Sequence, residues 1–291
     1  MFVASGIFVG LSTIDLLYAV DEFPAPNSKV VAHSQDVFVG GPAANAAITF
    51  AHLGGSATLV TTVGRSTLAR VITAEMREYS TRLIDLNPNF NEAPVLSSIT
   101  VNRIGQRNIV SANATRIQTN PVQVDEAALR DAQILLVDGH YMEACKEWAR
   151  MARALGLPVA LDGGSWKAGT EELLNHVDTA VCSADFLPPG CLTGDDVVNY
   201  LRSRGVSKIA ITDGAAPIRF VEPEGFGRVP VPQTHAVDTS GAGDILHGAF
   251  CYYTASGLGF AEALGEAAQV ASESCKFHGT REWMKPGGKH R

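Results

Sequence analysis

Short apolar runs that alternate with helical stretches constrain this chain more than any other feature. The runs "SGIFVGL", "ATLVTTVG", "AQILLVDG", "PVALDGG", "TAVCSAD" and "KIAITDG" each have the length of a buried strand. Helical patterns stand among and after them, over Pro42 to Gly55, Leu68 to Tyr79, Met142 to Leu155, Thr193 to Arg204, Gly241 to Ser256 and Phe260 to Phe277. The first opens on proline and closes on glycine, the expected asymmetry of a helix. Alternation at this spacing predicts βαβ units, and so an α/β fold with a mostly parallel central sheet flanked by helices. In such sheets the site lies beyond the carboxyl ends of the strands. Polar punctuation marks several expected strand ends: Asp138-Gly139-His140, Asp162-Gly163-Gly164, Thr212-Asp213-Gly214 and Asp238-Thr239-Ser240.

Two regions depart from the alternation. "TIDLLYAVDEF" with "KVVAHSQDVFVGG", and "VLSSITVNRIGQRNIVSAN", read as strands without helices between them. The expected strands are Thr13–Tyr18, Lys29–Phe38, Leu96–Asn102 and Arg107–Ala112, forming a small sheet beside the main one from about residues 13–39 and 95–113. No linker-like stretch or internal repeat divides the chain, so residues 1–291 read as one domain. Hydrophobic residues at 46% supply a large core and exclude disorder. A net charge of −7 with no extended basic stretch speaks against nucleic acid as a partner. Five scattered cysteines without a CxxC read as free thiols in a reducing compartment. No apolar run has the roughly 18 residues a membrane span needs. The first 23 residues lack a basic leader and read as a buried strand, so the expected location is cytoplasmic.

"DTSGAGDILHGAF", Asp238 to Phe250, places Gly241, Ala242 and Gly243 at a helix start with Asp244 directly behind. Glycine costs about 1 kcal/mol against alanine inside a helix, so bare backbone here needs a reason. A helix N-terminus carries unpaired N–H groups and about half a positive charge, and small residues let an anion approach. Asp244, in the first turn, is then placed to act as a base beside that anion. The plainer alternative is a tight turn capped by Thr239 or Ser240, with Asp244 complementing the helix dipole. No GxxxxGK[ST] and no GxGxxG after the first strand is present, so phosphate, if handled, is handled at Gly241–Asp244. "GGPAAN", Gly40 to Asn45, is a second glycine pair before a helix, and Asn45 in or just past its first turn faces the same cleft or is a buried structural amide. Asp15 interrupts an apolar strand and reads either as a surface residue or as a reader of hydroxyls.

In combination these motifs resemble the PfkB/ribokinase family of carbohydrate and nucleoside kinases. "DTSGAGD" resembles its C-terminal signature, and "GLSTIDLLYAVDEFP" followed by "GGPAANAA" its N-terminal pattern. "APVLSSITVNRIGQRNIV" is similar to its lid strands and "IAITDG" to its nucleotide-loop strand, so the likeness runs from about residue 3 to 281. The resemblance implies a ribokinase-like fold with a small β lid and an ATP- and Mg2+-dependent phosphorylation of a sugar hydroxyl. It implies Asp244 as catalytic base and Gly241, Ala242 and Gly243 as the anion hole for the transferred phosphoryl group. It implies Asp15, Gly41 and Asn45 as readers of sugar hydroxyls, and Thr212, Gly214 and Ser183 on the nucleotide side. Ribokinases further suggest a K+ site near Asp238 and Ser274–Gly279, and a homodimer through the lid sheet. Val30, Val31, Val37 and Val39 place apolar side chains on both sides of that sheet, which needs cover.

The chain also departs from the pattern. The family's NxxE is "CSADF" here, with Ser183 and Phe186 in those places and Asp185 as a substitute carboxylate, so the metal ligands stay unassigned. "GRS" replaces the family's usual GD, and Pro42 stands where ribokinases carry lysine, which speaks against ribose. Arg107 in the lid hairpin and His140 after a strand end are further candidates for substrate contact, and Lys167 for an anionic group on the acceptor. His247 lies one turn past Gly243, more in support than in chemistry. The alternatives are a nucleoside kinase, an anionic-sugar kinase, since "GGPAA", "DTSGAGDILHGA" and the Cys275 to Arg281 stretch resemble sulfofructose kinases, and a non-catalytic sensor of sugar or nucleotide.

Overall fold

The computed structural model describes residues 3–112, 114, 117, 119 and 122–285. Its main sheet has nine strands: β1 (Ser5–Val9), β4 (Ser56–Thr61), β5 (Arg82–Asp85), β8 (Ile134–Val137), β9 (Val159–Gly163), β10 (Thr179–Ser183), β11 (Lys208–Thr212), β12 (Ile218–Glu222) and β13 (Gly225–Val229). The order is β13-β12-β11-β10-β9-β8-β1-β4-β5. Strands from β5 to β11 pair in parallel, and the β12–β13 hairpin continues the sheet antiparallel. The inner strands are buried on both faces, as parallel strands under helices must be.

Helices α1 (Pro42–His52), α2 (Ala69–Glu78), α7 (Ala242–Ala255) and α8 (Phe260–Ser274) pack on one face around Phe8, Phe50, Phe250 and Leu264. Helices α3 (Glu126–Asp131), α4 (Met142–Ala154), α5 (Thr170–Leu173) and α6 (Gly194–Ser203) contribute to the opposite face around Leu135, Trp148, Leu161 and Leu201. Phe50 is fully buried, edge-on to Phe8 at 5.3 Å and to Tyr252 at 5.7 Å. Truncating such an anchor to alanine costs about 3–5 kcal/mol. Local signals set the helix ends: Pro42 opens α1, and Thr193 and Asp196 form a reciprocal capping box on α6.

The second sheet has the order β3-β2-β6-β7, from β2 (Thr13–Val20), β3 (Ser34–Gly40), β6 (Leu96–Asn102) and β7 (Arg107–Ser111). The expected strand at Lys29–Phe38 is corrected to Ser34–Gly40. Its last pair is Ser34 with Ala19, and the His33 amide still reaches the Ala19 carbonyl at 2.8 Å, but β2 ends at Val20, so residues 29–32 have no ladder to join. Of the valines expected on the sheet surface, Val30, Val31 and Val37 are exposed, whereas Val39 is fully buried where β3 enters the core. Asn113, at the end of the expected lid segment, lies outside the described residues. The Asp238 stretch does not close a strand: the amides of Val237 and Asp238 go instead to the Cys275 carbonyl, at 2.8 and 3.2 Å. Among the described residues no helix is long and apolar enough to cross a membrane, and all five cysteines are buried free thiols.

Candidate active site

Where the lid meets the carboxyl ends of the main strands there is a cleft of about 320 Å³. Its walls bring together Asp15, Gly41, Asn45, Arg107, Gly241 and Asp244, six positions the sequence singles out. Four chain segments build it: the β2–β3 ladder with α1, the lid hairpin β6–β7, the turn that opens α7, and Gly279–Thr280 after α8.

Gly241 caps α7 with φ 67°, and a Cβ there would lie 2.5 Å from Cγ2 of Thr280. Only glycine takes this left-handed turn against that wall without strain. The first bond of the helix runs from Ile245 N to Gly241 O at 2.9 Å, which leaves the Gly243 and Asp244 amides without an intrahelical partner. Gly243 is exposed, and a Cβ built on it meets nothing within 4 Å, so the space above these amides is open. That is the geometry of an anion site at a helix start.

Asp244 stands in this first turn, partly buried. Its Oδ2 accepts a 2.7 Å bond from Nδ2 of Asn45, on α1. Burial, and then the charge of nearby Asp162, push its carboxyl up to about 7, against the Asn45 bond and the pull of His247. A carboxylate poised near neutrality is suited to take a proton. Asn45 itself is buried, and its Oδ1 has no hydrogen-bond partner, an acceptor atom beside the base.

Asp15 projects from β2 into the same cleft, its Oδ1 accepting the Thr13 hydroxyl at 2.9 Å. Burial pushes it above the usual carboxylate range, while the Thr13 and Ser97 hydroxyls and the charge of Arg281 pull the other way. Gly40 leaves the room for it: a Cβ there would stand 2.0 Å from Asp15 Oδ2. Gly41, at φ 94°, lies over the Leu11 carbonyl, 2.4 Å from where a Cβ would be.

Arg107 reaches from the lid to Oδ1 of Asp238 at 2.9 Å. His140 does not line the cleft; it follows β8, its amide bound to Asp138 at 2.9 Å. Lys167 also stays outside the cleft, its Nζ on the Ser165 carbonyl at 3.2 Å. His247 lies under the turn, Nδ1 2.7 Å from the Gly243 carbonyl and Nε2 3.0 Å from that of Val181. Ser183 and Thr212 pair across the ends of β10 and β11. Ser183, with Asp213, Ala216 and Phe186, lines a second hollow of about 350 Å³ there. Gly214, at φ 51°, has open space around it.

Three supports have roles the sequence did not show, although Asp138 and Asp238 stand out in it as polar strand-end residues. Asp138 is buried and its carboxylate accepts the amides of Leu11 at 2.8 Å, Ala43 at 3.2 Å and His140, so it ties β1, α1 and β8 together under the cleft. Its signal was a lone acid at the end of the apolar run "ILLV". Glu75 and Arg281 form an ion pair at 2.8 Å that also takes the Val39 amide and carbonyl, at 3.2 and 3.0 Å. Asp238 is the third, with a carboxylate that gathers three segments.

Comparison with known proteins decides the family. The pfkB family carbohydrate kinase description matches residues 5–286. The chain belongs to the pfkB family of carbohydrate kinases. Among curated relatives it is 26% identical to a ribokinase of Staphylococcus aureus over 258 residues, covering 84% of each chain. It is 25% identical to a deoxyribokinase of Salmonella typhi over 301 residues, covering 94% of this chain and 93% of that one. Among solved structures, a ribokinase from Thermotoga maritima superposes with a TM-score of 0.84 at 23% identity, covering 98% and 96% of the two chains. Arabidopsis thaliana ribokinase, solved with ribose and ATP, superposes at 0.80 with 21% identity over 98% and 100%. The fold is therefore ribokinase-like, and the family makes ATP the phosphoryl donor.

Proposed function

We propose that the chain transfers the γ-phosphoryl group of ATP to a hydroxyl of a neutral polyhydroxylated sugar, with Asp244 as the base. The observation that carries this reading is the position of Asp244. It stands between the open amides of the α7 turn and the hydroxyl-reading side chains of the cleft, with its carboxyl raised to about 7. The acceptor hydroxyl gives its proton to Asp244, its oxygen bonds to the γ-phosphorus, and the bond to the β–γ bridging oxygen breaks to release ADP. The Gly241–Gly243 turn meets the charge that spreads over the transferring group, which is what phosphoryl transfer demands of a protein. Asp15 and the free Oδ1 of Asn45 fix the neighbouring hydroxyls. Ser183, Thr212 and Gly214 take the nucleotide side.

Charge argues for a neutral acceptor. The cleft walls carry Asp15, Asp238 and Asp244 against one cation, Arg107, already paired with Asp238. An anionic sugar would meet three carboxylates and no free countercharge, so this reading stands before the sulfofructose-like one. Pro42 in place of lysine adds no cation to it.

Among the described residues no three acidic, histidine or cysteine side chains cluster to hold an ion. Mg2+ typically binds through one or two carboxylates plus substrate phosphates, so the donor set fits an ion carried on the nucleotide, with exposed Asp185 the carboxylate nearest in sequence to Ser183. Bound there it would neutralise phosphate charge. Near Asp238 the Cys275 carbonyl is taken by two amides, and nothing in the geometry calls for K+.

We further propose a homodimer through the lid. Val37 on β3 and Val110 on β7, in register across the small sheet, are exposed at 49% and 76%, with Val31 and Ile104 exposed in the adjoining loops. A two-fold pairing of that sheet is the simplest cover.

The test is release of ADP from ATP with panels of neutral sugars, nucleosides and anionic sugars. Turnover fastest with a neutral sugar supports the reading; a nucleoside or anionic sugar as the best acceptor replaces it, and tight sugar binding without turnover makes the protein a sensor.

A further inference from the structure

Asp238 opens the "DTSGAGD" stretch but touches neither end of the proton transfer. Its Oδ1 accepts the Ser240 amide at 2.9 Å and the Arg107 guanidinium at 2.9 Å, and its Oδ2 accepts the Gly279 amide at 2.9 Å. One carboxylate thus joins the anion-hole turn, the lid strand β7 and the segment after α8. Burial would push the Asp238 carboxyl up, but the bonds from Gly279 and Ser240 and the charge of Arg107 hold it below the usual carboxylate range. The lid is anchored at two points of different character, one on the segment after α8 and one on the stretch before α7. At the root of β3 the Glu75–Arg281 pair clasps the Val39 backbone, with the Arg281 side chain only 9% exposed and Glu75 18%. At β7 the Arg107 side chain is 37% exposed and Asp238 14%. Water reaches this second pair, and an exposed pair is weak enough to open and close.

We infer that Arg107 and Asp238 are positioning residues that act as one latch, closing the lid over the acceptor and, through the Oδ1 shared with Ser240, holding the anion-hole turn. Arg107 acts here through Asp238 and not by binding the acceptor. The buried Arg281 clamp is the fixed hinge and the Arg107 contact the releasable edge. The inference rests on the cleft being the acceptor site, but not on which group takes the proton.

A double-mutant cycle tests it in the full-length enzyme. Arg107→Met removes the cation, and Asp238→Asn removes the charge and keeps one oxygen, enough for either the Ser240 or the Gly279 amide but not both. With the neutral sugar of highest turnover, each single change should raise acceptor KM about five- to tenfold, the size of one partly exposed charge-assisted bond, with a smaller fall in kcat. The double variant should be no worse than Asp238→Asn alone, because the Arg107 bond is already broken in it. Arg107→Lys should recover part of the loss, and added salt should raise the wild-type KM but not that of Arg107→Met. Without any acceptor, hydrogen exchange over residues 96–111 should quicken in Arg107→Met and Asp238→Asn alike. Additive effects on KM would mean that Arg107 binds the acceptor itself and would overturn the latch, as would unchanged lid exchange. Asp244→Asn separates the two claims. It should leave lid exchange unchanged while abolishing turnover, so an active Asp244→Asn removes the base and leaves the latch standing.

Discussion

The raised carboxyl of Asp244 makes the acid limb of the pH profile a direct reading of the mechanism. The base works only when ionised, and its titration is moved from 3.8 to about 7, first by burial and then by Asp162. With a midpoint near 7, about nine-tenths of the molecules are competent at pH 8 and about one-tenth at pH 6, a roughly tenfold fall in kcat/KM. An ordinary carboxylate would give a flat profile over that range. ADP release at subsaturating acceptor reports the free enzyme, with saturating ATP held constant. Asn45→Leu removes the 2.7 Å bond that favours the ionised form, so its acid limb should move to higher pH.

The same displacement has a sign in stability. Asp244 holds its proton more tightly folded than unfolded, so its contribution to stability is fully present below pH 3.8 and is lost as pH rises through about 7. Above that, an asparagine that keeps a bond to Asn45 should make the fold more stable by up to about 4 kcal/mol, because each tenfold change in proton affinity is worth about 1.4 kcal/mol. Denaturant titrations of wild type and Asp244→Asn at pH 4.5 and pH 8 measure the difference of differences. Turnover in Asp244→Asn near the wild-type rate, or a wild-type profile flat from pH 8 to pH 5.5, would refute the assignment of the base.

Gly243→Ala should fold normally, because its Cβ meets nothing within 4 Å, yet lose at least tenfold in kcat as the methyl crowds the phosphoryl group; melting and ADP release read the two effects separately. Gly41→Ala should cost about 1–3 kcal/mol in denaturant titration, since φ 94° and the Leu11 carbonyl at 2.4 Å both oppose a side chain. Light scattering after gel filtration should give twice 30.8 kDa for wild type and a monomer when Val37 or Val110 becomes Asp; a mass of one chain for wild type would remove the lid dimer.

What the sequence disclosed and what it hid divide along one physical line. Features whose signal is local were legible. Apolar runs and proline–glycine punctuation placed all six expected helices within a few residues, Met142–Ala154 and Phe260–Ser274 among them. The small residues ahead of Asp244 announced a helix start with open amides, and the structure supplies that geometry. The β12–β13 hairpin escaped because "PIRFVEPEGFGRVP" carries charge and punctuation through an edge, where one face of a strand need not be apolar. The supports of the site escaped for another reason. Asp138, Glu75 with Arg281, and Arg107 with Asp238 join residues 95, 206 and 131 positions apart, and nothing in the periodicity near one partner encodes the other. His140 shows how little a strand end alone decides. It stands at a strand end like Asp162 and Thr212, but its backbone amide is spent on Asp138, outside the cleft. A strand terminus brings a residue to the correct edge of the sheet; whether it lines the cleft depends on how distant segments tie its loop backbone, as Asp138 does for Leu11, Ala43 and His140.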